Sequence, residues 1–169
     1  KTIPHLDTSN VTNMDGMFRG CYSLTSIPLL DTSNVEDIQL MFWGCSDLKS
    51  IPHLDTSNVT SMRYTFNMCE KLKTIPLLNT SKVTDMEYMF QACSELETVP
   101  LLDTSNVVIM NFMFRMCENL ITIPLFSTSK VRYMSRMFWE CSLFESFPLL
   151  DTSKVTNMQG MFDECINLK

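Results

Sequence analysis

The sequence predicts a single α/β repeat solenoid: a right-handed, curved stack of seven 24-residue units, with short parallel strands on one side and short helices on the other. Three observations carry that prediction. The cysteines fall at Cys21, Cys45, Cys69, Cys93, Cys117, Cys141 and Cys165, one per unit without exception. Prolines keep the same step from Pro4 to Pro148, and a phenylalanine recurs as Phe18, Phe42, Phe66, Phe90, Phe114, Phe138 and Phe162. A fixed period of this length is the signature of stacked supersecondary units, each burying its apolar face against its neighbours. In a chain of 169 residues, length therefore counts repeats and not domains. The units run approximately over 1–24, 25–48, 49–72, 73–96, 97–120, 121–144 and 145–169, forming one solenoid domain over 1–169.

Laid out from Lys1, the unit reads x-[ST]-I-P-x-L-D-T-S-x-V-x-x-M-x-x-M-F-x-x-C-x-x-L. Its first element, Thr2-Ile3-Pro4-His5-Leu6, is apolar at alternate places and reads as a strand. In the second copy Ile27 and Leu29 are then expected to point inward, with Ser26 and Pro28 outward. Proline has no N–H for a ladder, so these strands are expected to be only three or four residues long. Asp7-Thr8-Ser9 follows as the corner. Its Thr and Ser occur in all seven copies, and short oxygen-bearing side chains close turns and cap helix starts. Asn79 and Ser127 replace the aspartate and still accept a hydrogen bond. The next element carries Val11, Met14, Met17, Phe18 and Cys21, the spacing of one helical face. Strands stack at about 4.8 Å and helices at about 8–10 Å, so the stack should curve with strands inside. Tight turns in place of helices would make it flatter.

Composition supports a packed interior, with 45% apolar and 19% charged residues. A net charge of -6 without a Lys/Arg cluster argues against nucleic acid or an anionic membrane as partner. No stretch approaches the roughly 18 apolar residues of a membrane span, so direct membrane insertion of this segment is not expected.

The candidate chemistry is sparse. Seven thiols cannot pair completely within one chain, and column neighbours pointing the same way do not meet the geometry of a disulfide. The cysteine column reads as small buried residues beside the phenylalanine column, against redox or metal roles as alternatives. His5 and His53 share one column two rungs apart, about 10 Å, too far for one zinc ion. Twelve of the 14 methionines occupy the two recurring columns, which makes them a core ladder. No nucleophile, base and orienting acid recur together, so neither an enzyme nor a cofactor is expected.

Variation between copies is concentrated elsewhere. With Met14 inward and about 100° per residue, the columns of Thr12, Gly16 and Arg19 face outward. The Gly16 column reads Gly16, Leu40, Tyr64, Tyr88, Phe112, Arg136, Gly160. Trp43 and Trp139 lie in the Arg19 column, and Ile109 and Tyr133 in the Asn13 column. Arg63, Arg115, Arg132 and Arg136 flank this stripe. Exposed aromatics rimmed by arginine have the composition of protein recognition hot spots, and aromatic rings also stack on sugars. Leu40, Trp43, Tyr64, Tyr88, Phe112, Tyr133, Arg136 and Trp139 are therefore the candidate binding residues, for a protein or carbohydrate ligand. The alternative is that these stems only cover gaps on a wide convex surface.

The copies DTSNVTNMDGMFRGCYSLTSIPLL and DTSKVTNMQGMFDECINL closely resemble the BspA-like leucine-rich repeat proteins of bacterial surfaces. The resemblance extends over the entire chain and rests on the core D-T-S-x-V-x-x-M-x-x-M-F-x-x-C. Its departures are Ile38 and Thr65 for Met, Phe126 and Phe144 for Leu, and Phe147 for Ile. It implies a leucine-rich-repeat-like solenoid and a non-catalytic role in adhesion or recognition at a cell or virion surface. A structural spacer holding another module is the second expectation. The repeat runs from Lys1 to Lys169 without an atypical polar cap, which reads as an excerpt of a longer chain.

Overall fold

The computed structural model describes residues 3–169. Among them there is no helix, and strand pairing is confined to isolated parallel bridges joining Asn13 to Asp37, Ser61 to Asp85, Asp85 to Ile109, Ile109 to Tyr133 and Tyr133 to Asn157. Both predicted elements are thereby corrected. The stretch from Val11 to Cys21 and its equivalents is a chain of tight turns, and the Ile-Pro-Leu stretch forms no strand.

The reason lies in how the backbone N–H groups are shared out. In the rung of Lys73 to Leu96, the amides of Met89, Gln91 and Cys93 donate to Met86, Tyr88 and Phe90, three residues back, at 3.1–3.3 Å. The amides between them leave the rung: Met86, Tyr88, Phe90 and Ala92 donate to Ile109, Asn111, Met113 and Arg115 of the next rung at 2.7–3.0 Å. An α-helix would use every one of these donors within its own segment. Here every second one joins neighbouring units, so the segment is a ladder and a run of turns at once.

Such turns need a positive φ at their third residue, the place glycine favours. Gly16 and Gly160 both have φ of 60°, while Leu40, Tyr64, Tyr88, Phe112 and Arg136 hold the same position at 52–58°. The Gly20 column repeats the pattern, with Met68, Ala92, Met116, Glu140 and Glu164 at 56–62°. Each non-glycine residue there costs roughly 1–2 kcal/mol of backbone strain, which the surrounding hydrogen bonds and packing must hold. Lack of space does not impose glycine at Gly16, since an added Cβ would meet nothing nearer than the Arg19 side chain at 3.7 Å.

The Ile-Pro-Leu stretch has a different fate. No backbone hydrogen bond joins it to its neighbours among the described residues, because the proline at its centre has no N–H to give. Ile75 and Leu78 turn inward, but Leu77 is exposed, as is Leu29, which alternation places inside. The inward spacing is therefore three residues and not two. Side chains hold this edge instead: Thr8, Thr56, Thr80 and Thr104 donate their hydroxyls to the carbonyls of Asp31, Asn79, Asp103 and Ser127 in the next rung at 2.8–2.9 Å. The corner is closed locally, as Asp31 accepts both the N–H and the hydroxyl of Ser33. With no helices on either side, the spacing difference from which curvature was derived is absent.

The core runs unbroken along the stack. In the fourth rung Val83, Met86, Met89, Phe90, Cys93 and Leu96 are fully buried. The phenylalanine column from Phe18 to Phe162 is an offset stack with ring centroids 5.5–5.7 Å apart. Phe126, Phe144 and Phe147 add their rings to it, at 6.4, 4.5 and 4.9 Å from Phe114, Phe138 and Phe162. Beside it the cysteines form a second ladder. The thiols of Cys45, Cys69, Cys93, Cys117, Cys141 and Cys165 each donate to the carbonyl of the phenylalanine one rung earlier, Phe18 through Phe138, at 2.9–3.1 Å. All seven cysteines are free. A sulfur suits this position because it is apolar enough to be buried and still spends its weak donor on a carbonyl that would otherwise accept a single bond.

Burial pushes the thiols of Cys45 and Cys93 up to about 12 and raises Cys69, Cys117 and Cys141 as well. They stay protonated and unreactive in the folded chain. Above about pH 8.5 the unfolded chain releases thiol protons that the folded chain keeps, so stability falls with rising pH, by about 1.4 kcal/mol per buried thiol per pH unit. Urea midpoints at pH 7.5, 8.5 and 9.5 check this sign. Native-state labelling with a disulfide reagent at pH 8 is expected to modify exposed Cys21 first and to reach the five buried thiols only at the rate of unfolding.

Candidate binding surface

The Gly16 column varies in size from glycine to tyrosine although its backbone is held at positive φ throughout. Its three central aromatic rings lie flat on one another: Tyr64 on Tyr88 with centroids 4.6 Å apart, and Tyr88 on Phe112 at 4.5 Å. The planes are parallel within 5° in both pairs. These distances are close to the spacing of a parallel ladder, about 4.8 Å, so each ring sits almost directly over the one below. Burial between its neighbours pushes the phenol of Tyr88 up, which keeps it neutral. The expected exposed stripe is thus half-buried: Leu40, Trp43, Tyr64, Tyr88, Phe112, Arg136 and Trp139 are all partly covered, and Tyr133 is the more open one.

Guanidinium groups close over this surface. Arg63 lies 5.2 Å from the Tyr64 ring, Arg115 lies 4.2 Å from Trp139, and Arg136 reaches both Phe112 at 5.9 Å and Trp139 at 4.8 Å. Arg19, which the sequence reading leaves out of the rim, stands 4.9 Å from Trp43. Cation–π contacts of this kind hold the arginine planes in place without consuming their donors. Arg132 is exposed, and its backbone N–H joins the ladder to Val108.

Next to the rings runs a polar relay that the repeat pattern does not reveal. Arg63 pairs with Glu87 at 2.6 Å, Glu87 accepts from Asn111 at 3.3 Å, and Asn111 accepts the N–H of Ser135 at 2.9 Å. Ser135 in turn donates to the carbonyl of Gln159 at 3.1 Å. Five different residue types occupy this column from the third rung to the seventh, joined side chain to side chain from Arg63 to Asn111 and through the Ser135 N–H and the Gln159 carbonyl beyond. The signal was present as a column whose chemistry changes stepwise, but a consensus averages it away.

Two further placements complete the surface. Tyr133 and Ile109 sit in the column that carries the parallel bridges, one rung apart. On the far side of each unit, Leu29, Leu77, Leu101, Leu125 and Leu149 are between 61% and 93% exposed, a row that strand alternation assigns to the interior. Among the described residues no group of three or more His, Cys, Asp or Glu could hold a metal ion. Nor, among the described residues, is any helix long and apolar enough to cross a membrane. What the aromatic face offers chemically is stacked rings and guanidinium groups oriented over them.

Among solved structures the chain is similar to a leucine-rich repeat protein of T. pallidum, at 19% identity and a TM-score of 0.61, with 99% of this chain and 77% of that one covered. That likeness is one of fold, and it makes the stack a leucine-rich-repeat-like solenoid. A leucine-rich repeat protein from Bacteroides ovatus is also similar at 19% identity over 94% of this chain and 69% of that one, but its TM-score of 0.28 carries no argument. No curated protein matches the sequence. The model of one family fits the chain twice in overlapping stretches, over residues 1–76 and 66–169. The chain therefore belongs to the family described as Mycoplasma protein of unknown function, DUF285.

Proposed function

We propose that the chain is a non-catalytic binding module, displayed at a cell or virion surface, whose aromatic and arginine face engages a protein or glycan partner. The observation that carries this reading is the cost at which the face is kept. Gly16 and Gly160 show that glycine satisfies the turn, yet Tyr64, Tyr88 and Phe112 occupy it at φ of 57–58°. Stacking returns roughly 0.5–1.5 kcal/mol per pair, and two pairs give back less than roughly 1–2 kcal/mol of strain at each of three residues takes, so stability alone gives little reason to prefer rings there. Strained positions that persist in this way are characteristic of functional surfaces. The resemblance of the D-T-S-x-V core to BspA-like surface proteins supports the location and the adhesive role.

A structural spacer is the second reading, and the same half-buried stack favours it, because rings filling the space between rungs stiffen the column. The two readings part on a substitution set. Replacing Tyr64, Tyr88 and Phe112 together by glycine, and Trp43 and Trp139 by serine, is expected to abolish binding in a combined glycan and protein screen while the thermal transition is retained. A spacer would bind nothing before the substitutions and would respond only to the number of rungs.

The strain itself is measurable. At Tyr88 the glycine variant is expected to be about 1 kcal/mol more stable than the alanine variant, the reverse of the usual order, because both lose the stack and only alanine keeps the Cβ that the left-handed backbone strains. Urea unfolding of the two variants checks it; alanine being the more stable would remove the argument from strain.

A further inference from the structure

The opposite side of each rung carries a second surface that the aromatic face does not explain. In five of the seven units a leucine, Leu29, Leu77, Leu101, Leu125 or Leu149, stands in solvent at the same place, with exposed His5 and His53 in the other two. Four consecutive exposed leucines, from Leu77 to Leu149, make an apolar row that is unusual on a protein surface. Two residues further along lies a parallel row of carboxylates, Asp7, Asp31, Asp55, Asp103 and Asp151, interrupted by Asn79 in the fourth rung and Ser127 in the sixth. Between the rows runs a trough. Over the first three rungs it holds about 470 Å³ against Leu29, His5 and His53 on one wall and Asp7, Asp31 and Asp55 on the other. A second stretch of about 400 Å³ shares His53 and continues past Leu77, Leu101 and Asp103.

Among the described residues no salt bridge reaches the carboxylates of this row, and only His5, His53 and Lys154 lie near enough to favour the ionised forms of Asp7, Asp55 and Asp151. The ion pairs among the described residues join Arg63 to Glu87, Lys71 to Asp47, Lys73 to Glu97 and Lys169 to Glu145, all elsewhere. In the nearest lysine column Lys82 and Lys130 are turned to the side chains of Asn58 and Asn106 at 2.9 and 2.6 Å, which leaves Lys154 beside Asp151. Each aspartate is instead held ionised by the hydroxyl and N–H of the serine two residues on, and Asp31 feels the repulsion of Asp7 and Asp55 beside it. A ridge of leucines beside a rail of mutually repelling carboxylates is the complement of lysine and arginine side chains, which have an apolar stem and a cationic head.

We propose that this trough is the docking site for an extended, cationic segment of a partner protein, whose lysine or arginine stems lie along the leucine row and whose charged heads meet the aspartate row. A second copy of this chain does not fit, since it brings the same carboxylates and a net charge of -6. Nucleic acid and anionic lipid are repelled for the same reason. The rung spacing also selects a backbone: three residues of a polyproline II segment advance about 9.3 Å and two rungs about 9.6 Å, so a cation at every third residue stays in register with every second rung.

The test uses a fluorescein-labelled (Lys-Pro-Leu)₄ peptide and anisotropy at physiological salt. The wild-type chain is expected to bind it, and to bind (Lys-Gly-Ser)₄ of equal charge and (Glu-Pro-Leu)₄ at least about fivefold more weakly. Leu77→Ser with Leu101→Ser, and separately Asp31→Asn with Asp55→Asn, are expected to weaken binding by about fivefold or more. Glu36→Gln with Glu118→Gln, which removes the same charge from other faces, is expected to change it less than about twofold. Thermal unfolding confirms that the exposed-leucine pair folds, and the isosteric Asp→Asn pair carries the test on its own if it does not. Absence of peptide binding, equal binding of (Lys-Gly-Ser)₄, or equal loss in the Glu36 and Glu118 variant would each overturn the proposal. The glycine triple at Tyr64, Tyr88 and Phe112 is expected to leave this binding intact, so the two faces stand or fall separately.

Discussion

The structure depends on one division of labour in the backbone. Between the Gly16 and Gly20 columns, every second N–H closes a turn inside its own rung and every other one reaches a carbonyl of the next rung. Neither set suffices alone. Turn bonds without the ladder would leave an isolated loop of 24 residues with no reason to hold one shape, and the ladder without the turns would be a strand too short to bury its side chains. Together they satisfy the donors that burial would otherwise penalise. They also fix the register, because a slip of one residue would exchange the two roles along the entire stack.

Much of the repeat follows from that constraint. Two positive-φ positions per unit are needed to turn the chain, and they fall at the Gly16 and Gly20 columns. Phenylalanine and cysteine stand in columns because identical environments recur at each rung, and the thiol binds back to the phenylalanine carbonyl one rung earlier. The proline column marks where the ladder stops. There the unit is held by threonine hydroxyls and by Ile and Leu packing inward, and the leucine between them is left in solvent. The solenoid thus has one face stitched by backbone and one stitched by side chains. The two candidate surfaces lie one on each.

The period, the number of columns and the buried character of Val, Met, Phe and Cys could be read from the sequence, because packing restricts those residues by size and polarity whatever the backbone does. The path of the backbone could not. Val11, Met14, Met17, Phe18 and Cys21 have the spacing of a helical face, and a run of three-residue turns produces the same spacing, so periodicity alone does not separate them. Glycine at Gly16 and Gly160 was the clue to a left-handed position, masked by the bulky residues in the five copies between. Leu29 was misplaced because alternation assumes a pleated strand, and Pro28 had already removed the ladder that would make one. At the aromatic face, the identity of the residues was legible and their stacking was not. Flat contact between Tyr64, Tyr88 and Phe112 depends on the rung spacing, which no single unit encodes. The relay from Arg63 to Gln159 was hidden for the same reason: it exists only across rungs.

Amide hydrogen exchange followed residue by residue tests the backbone account most directly. The N–H groups of Phe66, Phe90 and Phe114 donate to Met89, Met113 and Met137 across rungs and are predicted to exchange only with unfolding of the stack. Those of Leu77 and Leu101 have no such acceptor and are predicted to exchange about a thousandfold faster or more. Equal protection of the two sets would mean that the leucine stretch is a hydrogen-bonded strand after all, and would contradict the division of labour on which the rest of the structure is built.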